Sequence, residues 1–407
     1  MVDGERAHHF VEELTKFHRI RGSRGYDEAL EWLAERLREA GLRPLVFEFP
    51  LDGETTYWTW RMPPAWDGEE GKLWAGDELI ADYSKKPIQL VPGSASAEGE
   101  FEVVDVGKGE SPEDYKEDVR GKLIVASGNP RLVYREGIKR QGAAGVLFHY
   151  MPSPNPEIKR TPEDLPDLVS YVGILQHVGG KAFAFSLSEN QVKKVLKVKK
   201  VRVKVKAQNF KGTGKALYLE IPGQEPTGSL VIAHLCHPKP GANDNASGSA
   251  LALELALLFG AYKRPFRTLR FLWVPEMFGT VALAHERPEI LKRTFCGVNL
   301  DMVGEDQAKT RGPLRIERPP LSVPCFLHIL AEEFLKLGIK EKLFKTKYEA
   351  VRFKGGSDHY VLSDPTLGVP TVMFGHWPDR FYHSDEDTPD KVSPEELRIV
   401  GSLAASA

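Results

Sequence analysis

Two histidines and an aspartate follow an apolar run near the middle of the chain. The run Leu230–Ala233 has the character of a buried strand. His234 ends it, and Cys236, His237 and Asp244 follow in a loop rich in proline and glycine. Imidazole and carboxylate groups are the usual protein ligands of zinc. Because open α/β sheets place their sites at the carboxyl ends of strands, the spacing predicts a metal site here.

Other polar groups also stand where apolar runs end. Each one alone is more often a helix cap, an ion pair or a surface residue. Together they predict one site, because the carboxyl ends of parallel strands meet at one edge of a sheet. The groups are Glu276 after FLWVP, Asp301 at the end of CGVNLD, Ser357, Asp358 and His359 in GGSDH, and His383 in FYHSD.

The elements that must position these groups alternate between strand and helix from about residue 208 onward. This alternation predicts a mainly parallel, mixed sheet flanked by helices. Two helices in residues 7–42 are expected to pack on the same sheet. Strands are predicted at 218–221, 230–234, 269–274, 298–301 and 371–374, and helices near 246–262, 280–293, 324–337 and from 393 to the end.

The stretch HLCHPKPGANDNASG resembles the metal-binding core of the M28 family of zinc aminopeptidases, in the subgroup with a His-x-Cys-His-Pro loop. The stretches GSDH and YHSDEDTPD resemble later loops of that family. The resemblance covers about 1–50 and 208–407. It implies a zinc-exopeptidase-like α/β fold, a peptide substrate, and one or two zinc ions, with cobalt as an alternative metal.

The resemblance also implies roles for individual residues. His234 matches the strand-end histidine, Asp244 the bridging aspartate, Asp301 the strand-end aspartate and His383 the late histidine. Glu276 matches the first glutamate of a Glu-Glu pair, the general base that takes a proton from the attacking water. Candidates for lining the substrate pocket are Ser357, Asp358, His359, Tyr360 and Tyr382.

The sequence departs from the family pattern at two positions. Met277 stands where the family has a second, metal-binding glutamate, and a thioether is a poor zinc ligand beside oxygen donors. Cys236 stands where the family has an aspartate that orients a ligand. His237 is an additional histidine that could supply the missing ligand. The sequence leaves open one metal or two, and His234 or His237 as the main ligand.

The composition places the chain among soluble globular proteins. The 407 residues are 41% hydrophobic and 28% charged, with a net charge of −2, so no global field attracts nucleic acid or a membrane. Without a secretory h-region the expectation is a cytoplasmic protein, or a mature chain whose leader has been removed. Three cysteines do not make a disulfide framework. A homo-oligomer is compatible with the sequence.

Residues 52–207 differ in character from the rest, which divides the chain into 1–51, 52–207 and 208–407. The order of strands and helix within about 96–207 resembles the protease-associated domain that several M28 peptidases carry. We expect a mostly β insert that flanks the catalytic cleft and supplies no metal ligand. Its segment 197–206 alternates valine and base, which indicates either a nucleic-acid ribbon or, preferably, an edge strand with one solvated face.

The residues named above are compatible with three functions. The first is a zinc aminopeptidase. The second is an acyl transfer or cyclisation at the same site, as in glutaminyl cyclases, which share the fold. The third is a non-catalytic metal- or ligand-binding protein, which Met277 favours and which Glu276 disfavours, because a binder needs no base there.

Overall fold

The computed structural model describes residues 2–152, 156–174, 177–262 and 265–406. Its helices are α1 (Gly4–Leu14), α2 (Arg24–Glu39), α3 (Pro130–Val133, continuing as a wider helical turn to Arg140), α4 (Glu189–Val195), α5 (Gly248–Gly260), α6 (Phe278–Glu286), α7 (Pro288–Lys292), α8 (Gln307–Thr310), α9 (Leu327–Lys340), α10 (His359–Leu362) and α11 (Pro394–Ser406).

The strands alternate with these helices in the last part of the chain. They are β1 (Leu45–Leu51), β2 (Thr56–Tyr57), β3 (Trp60–Arg61), β4 (Ala65–Ala75), β5 (Glu78–Asp82), β6 (Ala97–Asp105), β7 (Leu123–Ala126), β8 (Gly145–Phe148), β9 (Phe183–Ser186), β10 (Lys200–Phe210), β11 (Gly212–Ile221), β12 (Glu225–His234), β13 (Arg267–Val274), β14 (Thr294–Leu300), β15 (Leu314–Glu317), β16 (Tyr348–Val351) and β17 (Thr371–His376).

A mixed sheet carries the second half of the chain. Among the described residues its strand order is β1-β11-β13-β12-β14-β17-β15-β16. The central strands β13, β12, β14 and β17 are parallel, whereas β1, β11 and β15 run antiparallel to their neighbours towards the centre. The mixed α/β sheet expected from the sequence is therefore confirmed, and β15 and β16 are additions to the predicted strands.

Helices cover both faces of this sheet because its central strands are apolar on both sides. On β13, Phe271 and Trp273 pack into one core, while Leu272 and Val274 pack into the other. This alternation follows the two-residue repeat of a strand. Helices α1, α2, α5, α9 and α11 contribute to the first core, and α6, α7 and α10 to the second. The strand ends are thus held rigidly from both sides.

A separate sheet lies between β1 and β11 in the chain. Its strand order in the described residues is β5-β4-β10-β6-β7-β8-β9, with β6 to β9 parallel and the rest antiparallel. It has apolar cores of its own. No strand pairing joins the two sheets among these residues.

The basic segment forms β10, and its predicted edge position is wrong. β10 pairs with β4 on one side and with β6 on the other. Val201, Val203 and Val205 are buried, and the charged residues between them project from the opposite face. There Lys204 forms a salt bridge of 3.0 Å with Glu70. The alternation was a reliable sign of a two-faced strand, but it carries no information on which strands pair beside it.

No helix in the described ranges combines the length and the apolar character needed to cross a lipid bilayer.

Candidate metal centre

Three of the predicted site residues stand at the ends of adjacent parallel strands. His234 is the last residue of β12, Glu276 lies two residues beyond β13, and Asp301 directly follows β14. In the sheet β12 lies between β13 and β14, and His234 is paired in register with Val274. The sheet therefore brings these three side chains to one edge.

Two loops bring the remaining predicted ligands to the same edge. Asp244 lies in the short segment Ala242–Ser247 before α5, where its backbone leaves the helical conformation (φ −104°, ψ 99°). His237 lies in the loop between β12 and that segment, and His383 in the loop after β17. His237 and Asp244 are almost fully buried, whereas His383 is partly exposed.

The donor atoms form two groups, and Asp244 stands between them. His237, Asp244 and His383 each offer a ligand atom within 4.8 Å of the others, and so do His234, Glu276 and Asp301. Asp244 Oδ2 lies 3.5 Å from His237 Nε2 and 3.0 Å from His383 Nε2. Asp244 Oδ1 lies 3.3 Å from His234 Nε2, and that nitrogen lies 3.3 Å from Asp301 Oδ1. One carboxylate thus faces both groups, a different oxygen towards each.

His234 and His237 belong to different groups, so they are not alternatives for one position. Nδ1 of His234 lies 3.1 Å from the carbonyl of Cys236, and Nδ1 of His237 lies 2.8 Å from that of Pro238. A ring nitrogen that donates to a carbonyl carries the proton, so Nε2 of a neutral ring presents its lone pair to the site. Burial lowers the pKa of His237 to about 3, which keeps its ring neutral.

The side chains fit a divalent cation. Nε2 of His237 and Oδ1 of Asp301 are buried and have no hydrogen-bond partner, a costly arrangement unless something else satisfies them. Neutral imidazole and carboxylate are the donors that zinc prefers. Across the described residues, no member of either group comes from the separate sheet.

Glu276, a member of the second group, is held in place through its backbone. Its N–H donates to Sγ of Cys236 over 3.2 Å. Cys236, which lies just beyond the neighbouring strand β12, therefore helps to fix the backbone of Glu276. Burial, together with Asp301 and Asp358, raises the pKa of Glu276 to about 8 against the opposing effect of His234. A cation in the site would lower this pKa again.

Met277 takes no part in either group. Its side chain packs against the core that α6 and α7 share with the sheet. Its N–H donates to Asp358 Oδ1 over 2.7 Å. The additional histidine, His237, supplies the third donor beside Asp244 and His383.

Residues that sequence reasoning did not single out hold the ligand loops. Asp387 accepts the N–H of Asn243 over 2.7 Å and that of Asp244 over 3.0 Å. The buried guanidinium of Arg19 donates to the carbonyls of Leu235 and Gly241, over 2.9 and 2.8 Å. Asp387 lies in YHSDEDTPD, which the resemblance marks, but nothing in the sequence around Arg19 indicates its role.

One aromatic ring of the separate sheet's segment reaches the centre. Tyr171 packs edge-on against His237 and His383, with ring centroids 5.3 and 5.1 Å apart. Its neighbour Val169 is joined to Asp385 by hydrogen bonds of 2.7 and 3.0 Å. A lone tyrosine between glycine- and proline-rich segments gives no signal in the sequence that could have predicted this contact.

The predicted substrate residues lie in different surroundings. Ser357 and His359 are buried and meet Asn299, and His359 also pairs with Glu317 over 2.9 Å. Asp358 is buried, and its Oδ2 has no hydrogen-bond partner.

The two tyrosines of that set are more accessible. Tyr360 is half-exposed and stacks on Phe353. Tyr382 stacks on His383 with ring centroids 3.7 Å apart.

A comparison with family models gives a match over the part of the chain that holds these ligands. Residues 217–407 match the model of peptidase family M28. All the candidate metal ligands named above lie in this range, whereas Tyr171 and Arg19 lie outside it.

Curated proteins similar to this chain include aminopeptidases. An aminopeptidase of Pseudomonas aeruginosa strain UCBPP-PA14 is 25% identical over 318 residues, which are 72% of this chain and 55% of that protein. Aminopeptidase YwaD of Bacillus subtilis is 24% identical over 342 residues, 79% of this chain and 69% of that protein. The chain therefore spans little more than half the length of the Pseudomonas protein.

Solved structures share the fold over the whole chain. A zinc aminopeptidase of Bacillus subtilis aligns with a TM-score of 0.70 at 19% identity, over 100% of this chain and 94% of that one. A glutaminyl cyclase of Fimbriiglobus ruber aligns with a TM-score of 0.51 at 13% identity, over 100% and 94%. At these identities the likeness shows the architecture alone.

Proposed function

We propose that this protein is a metal-dependent aminopeptidase of the M28 family, and that its site holds two divalent cations, zinc foremost. The observation that carries the proposal is the position of Asp244 between two groups of ligand atoms, one of which includes Glu276. His237, Asp244 and His383 would hold one ion. His234, Asp244 and Asp301 would hold the other.

The cations would polarise the scissile carbonyl and make water a nucleophile near neutral pH. The protein's own contribution to the reaction is Glu276. Its carboxylate accepts the proton of the attacking water and returns it to the leaving amine. The hydrogen bond from its N–H to Cys236 and the proline before it fix the direction of the side chain.

Asp358 is the residue we assign to the free amino terminus of the substrate. Its Oδ2 is buried and has no hydrogen-bond partner, while Oδ1 is held by Met277 and Thr280. A fixed carboxylate with one free oxygen attracts an ammonium group strongly in a site of low dielectric. This assignment explains why the enzyme would remove residues from an end of a peptide.

The experiment that tests the function is a substrate screen on the metal-loaded protein. Aminoacyl-anilides, short free peptides, the same peptides acetylated at the amino terminus, and glutaminyl peptides are each incubated with added zinc or cobalt. Release of amino-terminal residues from the free peptides alone supports the proposal. Loss of ammonia from glutaminyl peptides without cleavage favours the cyclase, and inactivity towards all of them favours a binding protein.

A further inference from the structure

The helix α9 exposes an unusual amount of apolar surface for a helix outside the site. Its inner face is regular, with Leu327, Ala331 and Leu335 buried against the core. A second apolar stripe runs beside that face and is exposed. It consists of Phe326, Leu330, Phe334 and Leu337, with Ile329 next to it, and each of these side chains is between 37% and 56% exposed.

The stripe has the spacing of a helix–helix seam. Positions 326, 330, 334 and 337 recur at intervals of four, four and three residues, which places them along one line of the helix surface. No charged residue interrupts that line. Glu333 and Lys336 lie next to it and pair with each other over 2.7 Å.

The place of α9 in the fold leaves this face partly exposed. The helix connects β15 to β16, the last two strands at one margin of the large sheet. α11 packs against α9, and the ring of Phe334 meets that of Phe344, yet the stripe remains between 37% and 56% exposed. Leu343, just after the helix, adds a further side chain that is 63% exposed.

From these observations we infer that the α9 face is the interface of a homodimer, in which two copies of α9 pack against each other about a twofold axis. A symmetric pair needs one surface that fits itself, and two copies of an uncharged stripe laid antiparallel satisfy that need. Leu330 and Phe334 then lie near the axis, and Phe326 of each copy lies near Leu337 of the other.

The area is suitable for a second copy. The five side chains named above and Leu343 together present roughly 500 Å² of apolar surface. A standard interface buries about 800 Å² on each partner, of which about 60% comes from apolar atoms, so the two apolar areas are similar. The charges also allow self-association. α9 carries two glutamates and two lysines, so identical copies meet without net repulsion.

The dimer is independent of the metal centre. None of the α9 residues lies in either ligand group. A failure of this inference would therefore leave the proposed function untouched, and the reverse also holds.

The test is the solution mass of three proteins. The unchanged chain should show about twice its 45.5 kDa by light scattering at micromolar concentration. The variant Leu330→Glu/Leu337→Glu should show a single chain's mass. The control Leu79→Glu/Leu196→Glu changes two leucines of similar exposure, one in β5 of the separate sheet and one directly after α4. It should remain dimeric.

Hydrogen exchange on the unchanged protein serves as the second measurement. Amides of α9 should exchange more slowly as the protein concentration rises, and amides of α4 should not. This readout needs no mutation, so a variant that fails to fold does not weaken the test.

The inference is overturned if the unchanged chain is monomeric at these concentrations. It is also overturned if the α9 variant, folded by circular dichroism, stays dimeric, or if the control pair dissociates equally. A monomer whose α9 binds unfolded polypeptide instead would assign the face to a different partner and equally refute the dimer.

Discussion

The main-chain N–H of Tyr171 donates a hydrogen bond to the main-chain carbonyl of His383, with 2.6 Å between nitrogen and oxygen. The tyrosine belongs to the segment before β9 of the separate sheet, and the histidine to the ligand loop of the large sheet. The segment that precedes β9 is thus in direct contact with one side of the proposed metal centre.

Tyr171→Ala should weaken binding of the ion held by His237 and His383 by about 10- to 100-fold, the usual effect of removing a group that orients metal ligands. Tyr171→Phe keeps the ring that touches both histidines and should bind almost normally. Competition with a chromophoric chelator measures both affinities. Equal affinities for the alanine variant and the unchanged protein would show that the ring contact does not position His383.

Glu276→Gln keeps the shape of the side chain and removes its ability to accept a proton. Turnover should fall by roughly 10²–10⁴-fold, with metal content and KM nearly unchanged. Asp301→Asn is the matched amide substitution at a proposed ligand, and it should lower metal content. Steady-state kinetics with elemental analysis distinguishes the roles, and a Glu276→Gln protein that loses its metal would make Glu276 a ligand.

His237→Ala should reduce the metal content from two ions per chain to one, because His237 supplies a donor to only one of the two groups. His234→Ala should remove the other ion. His285→Ala alters a histidine that packs on Tyr57, away from both groups, and should retain two ions. Elemental analysis after exhaustive dialysis gives the counts. One ion in the unchanged protein would contradict the two-metal proposal.

Gly241→Ala should weaken metal binding and stability together. Gly241 has φ +53°, and an added Cβ would lie 2.4 Å from Nδ1 of His237. Gly76 has φ +60° with nothing within 4 Å, so Gly76→Ala suffers only the backbone cost of about 1–2 kcal/mol. Urea unfolding should show a loss in both variants, whereas metal titration should show a defect in Gly241→Ala alone. A normal metal affinity in Gly241→Ala would mean that the loop accommodates the methyl group.

Buried His18 should make the metal-free protein less stable in mild acid. Burial, together with the neighbouring Arg19, lowers its pKa to about 3, so the folded state keeps it neutral. The unfolded chain binds a proton below about pH 6.5, which means that stability is complete above that pH and declines as the pH falls towards 3.

His18→Asn keeps an acceptor for the N–H of Lys239 but cannot be protonated. Its free energy of unfolding should fall by about 2 kcal/mol less than that of the unchanged protein between about pH 7 and about pH 5. Parallel urea curves with chelator present test this. Identical pH profiles would mean that His18 is protonated in the folded state.

The site residues that could be predicted from the sequence are those that stand at the ends of strands. His234, Glu276 and Asp301 could be placed together because parallel strands end at one edge of a sheet. The choice between His234 and His237 could not be made, because it depends on how the loop folds back onto Asp244. That path is fixed in part by Arg19, whose guanidinium contacts residues more than 200 positions away.

The features that the sequence did not predict correctly also depend on distant parts of the chain. β15 and β16 are four residues each, which is too short for a period to stand out even though Leu314 and Ile316 of β15 alternate with charged residues, so their neighbours in the sheet make them strands. β10 was expected at an edge because its pattern gives a solvated face but no pairing. Tyr171 was missed because a single tyrosine has no periodic or motif signal.

The contacts of Arg19 and Asp387 have a consequence for how the protein is made. The proposed ligands span residues 234–383, and their loops rest on one side chain near the beginning of the chain and another near its end. A chain still emerging from the ribosome can form the separate sheet early, because that sheet is complete at Phe210. The metal centre must wait until Asp387 has been synthesised and has left the exit tunnel. A metal-loaded nascent chain therefore cannot precede the synthesis of Asp387.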